Sequence, residues 1–280
     1  MQGRHADNIA KQTSTLFDLS NRVYITTGGA RGLGLTMAES LAEAGGEVYC
    51  FDRNKQPDDE FAIANEQLRR EPGTGTLHYC RVDISKADEV DAVVASIAGQ
   101  KRRLDGLIAA AGILQVCPSI EYKVEDVRHM LDTNFIGVLE TANACARQMF
   151  KYRSRGSMCL VASMSGLIAN KGMVSPVYNA TKAAVIQLAK NLSMEWSRIQ
   201  SSGEGGIRVN ALSPGHTITP MVRKELEATP GLQQEWEAEN MMGRLADPSE
   251  FKGAALFLLS NASSFMTGNN LIVDGGHTAW

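Results

Sequence analysis

Apolar, β-branched runs recur along the chain, separated by longer stretches with helical spacing. The runs are residues 22–27 (RVYITT), 47–52 (EVYCFD), 76–83 (TLHYCRVD), 106–112 (GLIAAAG), 158–163 (MCLVAS), 207–214 (IRVNALSP) and 270–275 (NLIVDG). Each reads as a strand. Residues 32–44 read as a helix, with Leu33, Met37, Leu41 and Ala44 on one face. Further helices are expected over 58–70, after a cap at Ser85, over 124–152 with a break at Gly137, over 177–199 and over 248–259. Residues 221–242 are polar and methionine-bearing, with weak helical signal. Strands alternating with helices imply βαβ units and a parallel sheet. The strands are continuously apolar rather than alternating, as expected when both faces are covered. The expected fold is α/β, a doubly wound parallel sheet of about seven strands with helices on both faces.

Composition narrows the function classes. The chain has 280 residues, 44% hydrophobic and 21% charged, with a formal charge of −3. No basic excess is present to drive binding to nucleic acid, and no polybasic cluster suits a membrane surface. The longest apolar stretch, residues 253–259, is far short of the ~20 residues that span a bilayer. Residues 1–18 form a polar arm without the apolar core of a secretory signal. Residues 19–280 read as a single domain, since the glycine-serine insert at 201–206 is too short for a linker. The five cysteines are odd in number and none are spaced as CxxC, so a disulfide framework or a zinc site is not expected. They read as small core residues, which fits a reducing, cytoplasmic setting.

Three groups of residues carry chemistry. TGGARGLG at 27–34 follows the first strand and opens the first helix. Its Gly28, Gly32 and Gly34 allow a tight turn and a close approach to a diphosphate at a helix N-terminus. Asp52 ends the second strand, where a carboxylate accepts hydrogen bonds from ribose hydroxyls and repels a 2′-phosphate. Asp52 favours NAD(H), while Arg31 and Arg53 leave NADP(H) open. Tyr178 and Lys182 stand at i and i+4 on one helix face. A free phenol titrates near 10; one positive charge ~5 Å away at an effective dielectric of about 20 is worth roughly 3 kcal/mol, or a little over 2 pKa units, so Lys182 together with an oxidised nicotinamide would bring Tyr178 into useful range.

With these motifs in this order, the sequence resembles the short-chain dehydrogenase/reductase family over about residues 19–276. The matching elements are TGGARGLG, Asp52, Asp83 in RVDIS, AAAG at 109–112, Asn134 in DTNF, Ser163, Tyr178, Lys182, PGHTIT at 214–219 and VDGG at 273–276. The resemblance implies a Rossmann-type fold and an NAD(P)-dependent alcohol dehydrogenase or carbonyl reductase. It implies Tyr178 as general acid and base, Ser163 as the hydrogen-bond partner of the substrate oxygen, and Lys182 on the nicotinamide ribose. Asn134 would hold a water leading to Lys182. The implied cofactor residues are Gly28, Arg31, Gly32, Leu33, Gly34, Asp52, Arg53, Asp83, Ile84, Ala110, Ala111, Gly112, Tyr178, Lys182, Pro214, Gly215, Thr217 and Thr219. Asp83 would face the adenine and Thr219 the carboxamide.

Two features depart from the family pattern. Ala109, Ala110 and Ala111 stand where the family usually carries an Asn. The usual Ser-to-Tyr spacing of thirteen selects Ser165, whereas Ser163, fifteen away, directly follows the strand. Ser163 is preferred and Ser165 is the alternative. SMSG at 163–166, YNATKAAV at 178–185, ALSPG at 211–215 and the ending DGGHTAW resemble fungal polyol dehydrogenases and sorbose or mannitol reductases. Ketoreductases of secondary metabolism are the neighbouring reading. A non-catalytic dinucleotide-binding regulator is the reading from another class, but such a chain is free to lose Tyr, Lys, Ser or Asn, and all four are present.

The expected partners are a small-molecule substrate and further copies of the chain, as a tetramer or dimer through its two long helices. A substrate lid is expected over 217–245, with Met241 and Met242 lining it or simply packing. His216 beside the PG turn is placed to touch substrate, but a loop histidine without a catalytic role is the preferred reading. His5, His78, His129 and His277 have no ligand partner at useful spacing, so no metal is expected. Glu235, Glu237 and Glu239 read as a solvated helix face. Trp280 reads as a subunit anchor.

Overall fold

The computed structural model describes residues 12–280, with the side chains of residues 221, 224, 225 and 228 outside the description. The first eleven residues of the expected arm, with His5, lie outside the described residues. The rest of the arm carries one helical turn, α1 (Thr13–Leu16).

The chain then runs β1 (Val23–Thr27), α2 (Gly32–Glu43), β2 (Glu47–Asp52), α3 (Asp59–Arg70), β3 (Thr76–Arg81), α4 (Ala87–Lys101) and β4 (Gly106–Ala109). It continues through α5 (Val124–Leu131), α6 (Gly137–Lys151), β5 (Ser157–Val161), α7 (Pro176–Trp196), β6 (Arg208–Pro214), α8 (Pro220–Ala228), α9 (Leu232–Ala238), α10 (Lys252–Leu259) and β7 (Asn270–Val273). The seven strands form one sheet in the order β3-β2-β1-β4-β5-β6-β7, and every pairing is parallel. The order reverses between β1 and β4, so their carboxyl ends open a crevice, the usual ligand position in such sheets.

Alternation along the strands feeds two cores. Val23, Ile25, Leu107, Met158, Leu160 and Val209 point to the face covered by α4, α6 and α7. Tyr24, Val48, Cys50, Ile108, Cys159 and Leu212 point to the opposite face, under α2, α3 and α10. Two buried faces explain why the strands read as unbroken apolar runs. Cys50, Cys145 and Cys159 are fully buried, and burial raises all three thiols. No described helix is long and apolar enough to cross a membrane.

Three local expectations are corrected. Ser85 does not cap α4: its amide and hydroxyl both bond Asp83 Oδ1, at 3.0 and 2.8 Å, and the helix starts after Lys86. The long helix over 124–152 does not break at Gly137 but widens just before it, into a π-turn over Asp132–Ile136. Gly137 packs closely on Ile84, where a Cβ would meet Cδ1 at 2.8 Å and the backbone oxygen at 3.1 Å. The helix expected over 248–259 begins with a 3₁₀ turn, Pro248–Phe251, closed by a reciprocal box between Asp247 and Glu250. The segment of weak helical signal holds two short helices, α8 and α9.

Candidate active site

The crevice at the carboxyl ends of β1, β2 and β4 is a cavity of about 340 Å³. Its lining brings together Gly28, Arg31, Gly32, Leu33, Gly34, Asp52, Arg53, Asp83, Ile84, Ala110, Ala111, Gly112 and Thr219, all expected from the sequence. The β1–α2 turn has little room for side chains. Gly28 has φ +67°, and a Cβ on it would stand 2.9 Å from the Ala111 backbone. Thr27 Oγ1 accepts from the Ala111 amide at 3.2 Å, tying this turn to the end of β4. The small residues Ala110 and Ala111, where the related pattern has an Asn, thus sit against the glycine turn.

Asp52 is half-buried and its Oδ1 accepts from the Asn54 amide at 3.2 Å. Arg31 reaches Asp58 at 3.6 Å, and Arg53 is exposed. The Asp83 carboxyl is pushed up by burial, but the Ser85 hydroxyl and amide outweigh that and hold it below its usual value. The Gly32 amide at the start of α2 donates to Glu60 of α3 at 2.9 Å. A carboxylate therefore takes a position suited to an anion at this helix N-terminus. Nothing in the sequence spacing pointed to Glu60. Phe51, Asn54, Val82, Ser85, Ile113, His129, Thr133 and Pro220 also line the cavity and were not anticipated.

A second cavity, of about 210 Å³, shares Leu33, Ala110, Gly112, Ile113 and Thr219 with the first. It holds Ser163, Tyr178, Lys182, Pro214, Gly215 and Thr217. Tyr178 lies in the first turns of α7, which Pro176 opens. Burial pushes its phenol above the ordinary value, and the Ser163 hydroxyl pulls it back. Lys182 Nζ lies 5.6 Å from the centre of the Tyr178 ring. Lys182 is buried, donates to the Val161 carbonyl at 2.8 Å, and is lowered by burial to about 8. Desolvation is thus the largest influence on both groups.

Ser163 and Ser165 are both buried against this cavity. Ser163 Oγ accepts from the Ser165 amide at 3.1 Å, so Ser165 braces the turn. Asn134 is fully buried in the π-turn. Its Oδ1 accepts from the Ile113 amide at 2.8 Å, and its Nδ2 donates to the Ile113 carbonyl at 2.9 Å and to Thr181 Oγ1 at 3.2 Å. The π-turn aims an amide that an unbroken helix would carry past this point.

A third cavity, of about 620 Å³, meets the second at Ser165 and Met173. The loop between Gly166 and Pro176 walls it, together with Asn179. Asn170 is 4% exposed there, and its Nδ2 has no hydrogen-bond partner among the described residues.

His216 is not a free loop residue. It is buried at the second cavity, stacked on Trp236 at 4.0 Å and 6°. Burial, and then His277, hold its imidazole far below the ordinary value, at about 3. The fold brings His277 and Glu239 beside it, although sequence spacing gives none of the three a partner. Met241, Met242 and Trp280 are exposed and line none of these cavities.

Comparison with known proteins agrees with this layout. The family model described as enoyl-(acyl carrier protein) reductase matches residues 28–278. A short-chain dehydrogenase/reductase, notP′, of Aspergillus versicolor is 40% identical over 95% of this chain and 90% of its own. A ribulose-forming D-arabinitol 2-dehydrogenase of Candida albicans is 33% identical over 94% of this chain and 95% of its own. The crystal structure of gox2181 superposes with a TM-score of 0.85 at 34% identity, covering 95% of this chain and 99% of that one. A gluconate 5-dehydrogenase of Burkholderia cenocepacia, solved with NADP and tartrate, gives 0.84 at 30% identity, covering 96% and 100%.

Proposed function

Because the chain belongs to the short-chain dehydrogenase/reductase family, and so is an NAD(P)-dependent oxidoreductase, we propose that it interconverts a polyol and the corresponding ketose. The observation that carries this reading is the junction of two cavities. One is lined by glycine turn and acidic strand end, the other by Tyr178, Lys182 and Ser163, and they share five residues. A nicotinamide dinucleotide held by the lining of the first cavity would provide the hydride chemistry. In reduction Tyr178 Oη gives its proton to the nascent alkoxide, and in oxidation it takes the proton from the hydroxyl. Ser163 Oγ donates to the same substrate oxygen and holds it as charge develops. Lys182 Nζ holds a ribose hydroxyl and stabilises the phenolate by its charge. Asn134 holds the chain after β4 in place through Ile113, and a water at Asn134 would link Lys182 to solvent.

The substrate class is supported by the names of the relatives and by the third cavity. Its largely apolar wall includes Asn170, whose amide nitrogen is unpaired and would have to turn toward the cavity to meet a substrate hydroxyl. NADH preference is supported by Asp52 at the cavity, by the engagement of Arg31 with Asp58 and by the exposure of Arg53. The remaining cofactor residues, Pro214, Gly215 and Thr217, line the second cavity, and Thr219 lines both. A lid over 217–245, a cytoplasmic setting and a homo-oligomer complete the proposal. Light scattering should return at least twice the 30.3 kDa of one chain, and a stable monomer would exclude the oligomer.

The test is a substrate panel of arabinitol, mannitol, ribulose, xylulose, sorbose, fructose and aromatic ketones, followed by nicotinamide absorbance. Turnover of a polyol–ketose pair at least tenfold faster than any aromatic ketone is expected. Aromatic ketones as the best substrates would overturn the substrate class, and no turnover with stoichiometric cofactor binding would overturn catalysis.

A further inference from the structure

Among the described residues, one group of three imidazole and carboxylate side chains lies close enough together to hold a metal ion. His216 follows β6, Glu239 caps the C-terminus of α9, and His277 follows β7. One ligand atom from each lies within 4.8 Å of the others. We propose that His216, Glu239 and His277 bind a single divalent transition-metal ion of the zinc class, fastening the lid helices to the C-terminal segment at the wall of the Tyr178 cavity.

The donor set selects the ion. Two imidazole nitrogens and one carboxylate oxygen suit zinc or cobalt and leave a fourth position open. Calcium and magnesium take all-oxygen shells and are poorly served here. Tetrahedral bonds of about 2.0–2.1 Å place ligand atoms roughly 3.4 Å apart. The cluster must therefore contract by up to about 1.4 Å. Glu239, half-buried at a helix end with a flexible side chain, is the ligand with most freedom to move inward.

The histidines are already oriented. Both are buried, with rings 5.3 Å apart and nearly perpendicular. His277 Nδ1 lies 3.1 Å from Asn240 Oδ1. Asn240 Nδ2 donates to the Arg244 carbonyl at 2.9 Å, which identifies Oδ1 as the atom facing the imidazole. An amide oxygen only accepts, so Nδ1 is the donor in this bond, and in the neutral ring Nε2 is the nitrogen left to bind an ion. A histidine whose second nitrogen donates to a fixed carbonyl is the usual arrangement behind a metal ligand. The stack on Trp236 holds His216 in a single ring plane.

The site would reinforce three segments already tied by backbone bonds, among them the Ala246 amide to the His216 carbonyl at 2.9 Å, the Gly215 amide to the Val273 carbonyl at 2.9 Å and the Met242 amide to the Gly275 carbonyl at 3.1 Å. An ion that binds only this arrangement stabilises the folded chain by mass action.

The test uses full-length, chelator-stripped protein without cofactor. Cobalt(II) titration is read by visible d–d absorption, and zinc by competition and by melting temperature. We expect one cobalt per chain with the bands of a low-coordinate site, displacement by zinc, and a melting rise of about 5 °C at saturation. Glu239→Ala and His277→Ala should each weaken binding at least tenfold. Glu239 is half-exposed, so its variant remains informative if the His277 variant fails to fold. Absence of stoichiometric binding to the wild-type chain, or equal binding by the Glu239 variant, would overturn the site.

Discussion

Lys182 carries the clearest tension between folding and chemistry. Burial lowers its ammonium from 10.5 to about 8, which corresponds to about 3 kcal/mol of lost stability while the group stays charged. The folded pKa lies below the unfolded one, so the native state binds fewer protons between pH 8 and 10.5 and stability rises across that window. Cofactor-free Lys182→Met should therefore gain in melting temperature over wild type at pH 7, net of an unpaired Val161 carbonyl. That gain should shrink between pH 8 and 10.5, and a pH-independent difference in melting curves would contradict this account. Glu60 gives a second residue-level expectation. Its carboxylate holds the Gly32 amide that a cofactor phosphate would use. Glu60→Ala should tighten NADH several-fold by fluorescence titration, with little change in stability. The i, i+4 pair of Tyr178 and Lys182 was visible as a pattern. Glu60 was not, because α3 and the glycine turn meet only through the fold.

Among elements, the π-turn at Asp132–Ile136 shows what periodicity misses. Apolar spacing announced a long helix, and Gly137 suggested where it would yield. The extra residue instead falls just upstream, where it buries Asn134 against Ile113. A hydrophobic pattern cannot register one widened turn inside a helix. The entry to α10 was also hidden, since the box of Asp247 and Glu250 precedes the apolar run. Arg244 forks onto Glu250 at 2.7 Å through two bonds and holds that carboxyl down to about 2. The folded pKa is depressed, so its contribution is present above about 4.5 and lost as pH falls toward 2. Much of the pair faces solvent, so Glu250→Gln should cost only about 2 °C of melting temperature at pH 7. The deficit should vanish by pH 2; one that persists there would assign it to packing.

Across the whole molecule, the sheet was legible because its physics is local. Each strand is an apolar run, each crossover a helix, and right-handed crossovers leave few ways to order them. Asp52, Asp83, Ala110 and Thr219 converge because strand ends converge, so the cofactor cavity followed from the order of motifs. Contacts between remote turns were not legible. His216, Glu239 and His277 come from three separate segments, and no spacing rule joins them. Asn170 belongs to the same class, as its buried donor depends on how the loop after Gly166 closes. Asn170→Ala should raise KM for polyols several-fold and leave kcat within about threefold, as measured by steady-state kinetics; an unchanged KM would remove Asn170 from the substrate wall.

The central claim is that the phenolic oxygen of Tyr178 exchanges the proton while hydride passes in the same chamber. Single-turnover reduction by Tyr178→Phe, with NADH affinity measured alongside, tests it most directly. A rate at least ~10³-fold below wild type, with NADH bound within about threefold of normal, is the expected result. Reduction within tenfold of the wild-type rate would show that the proton comes from elsewhere.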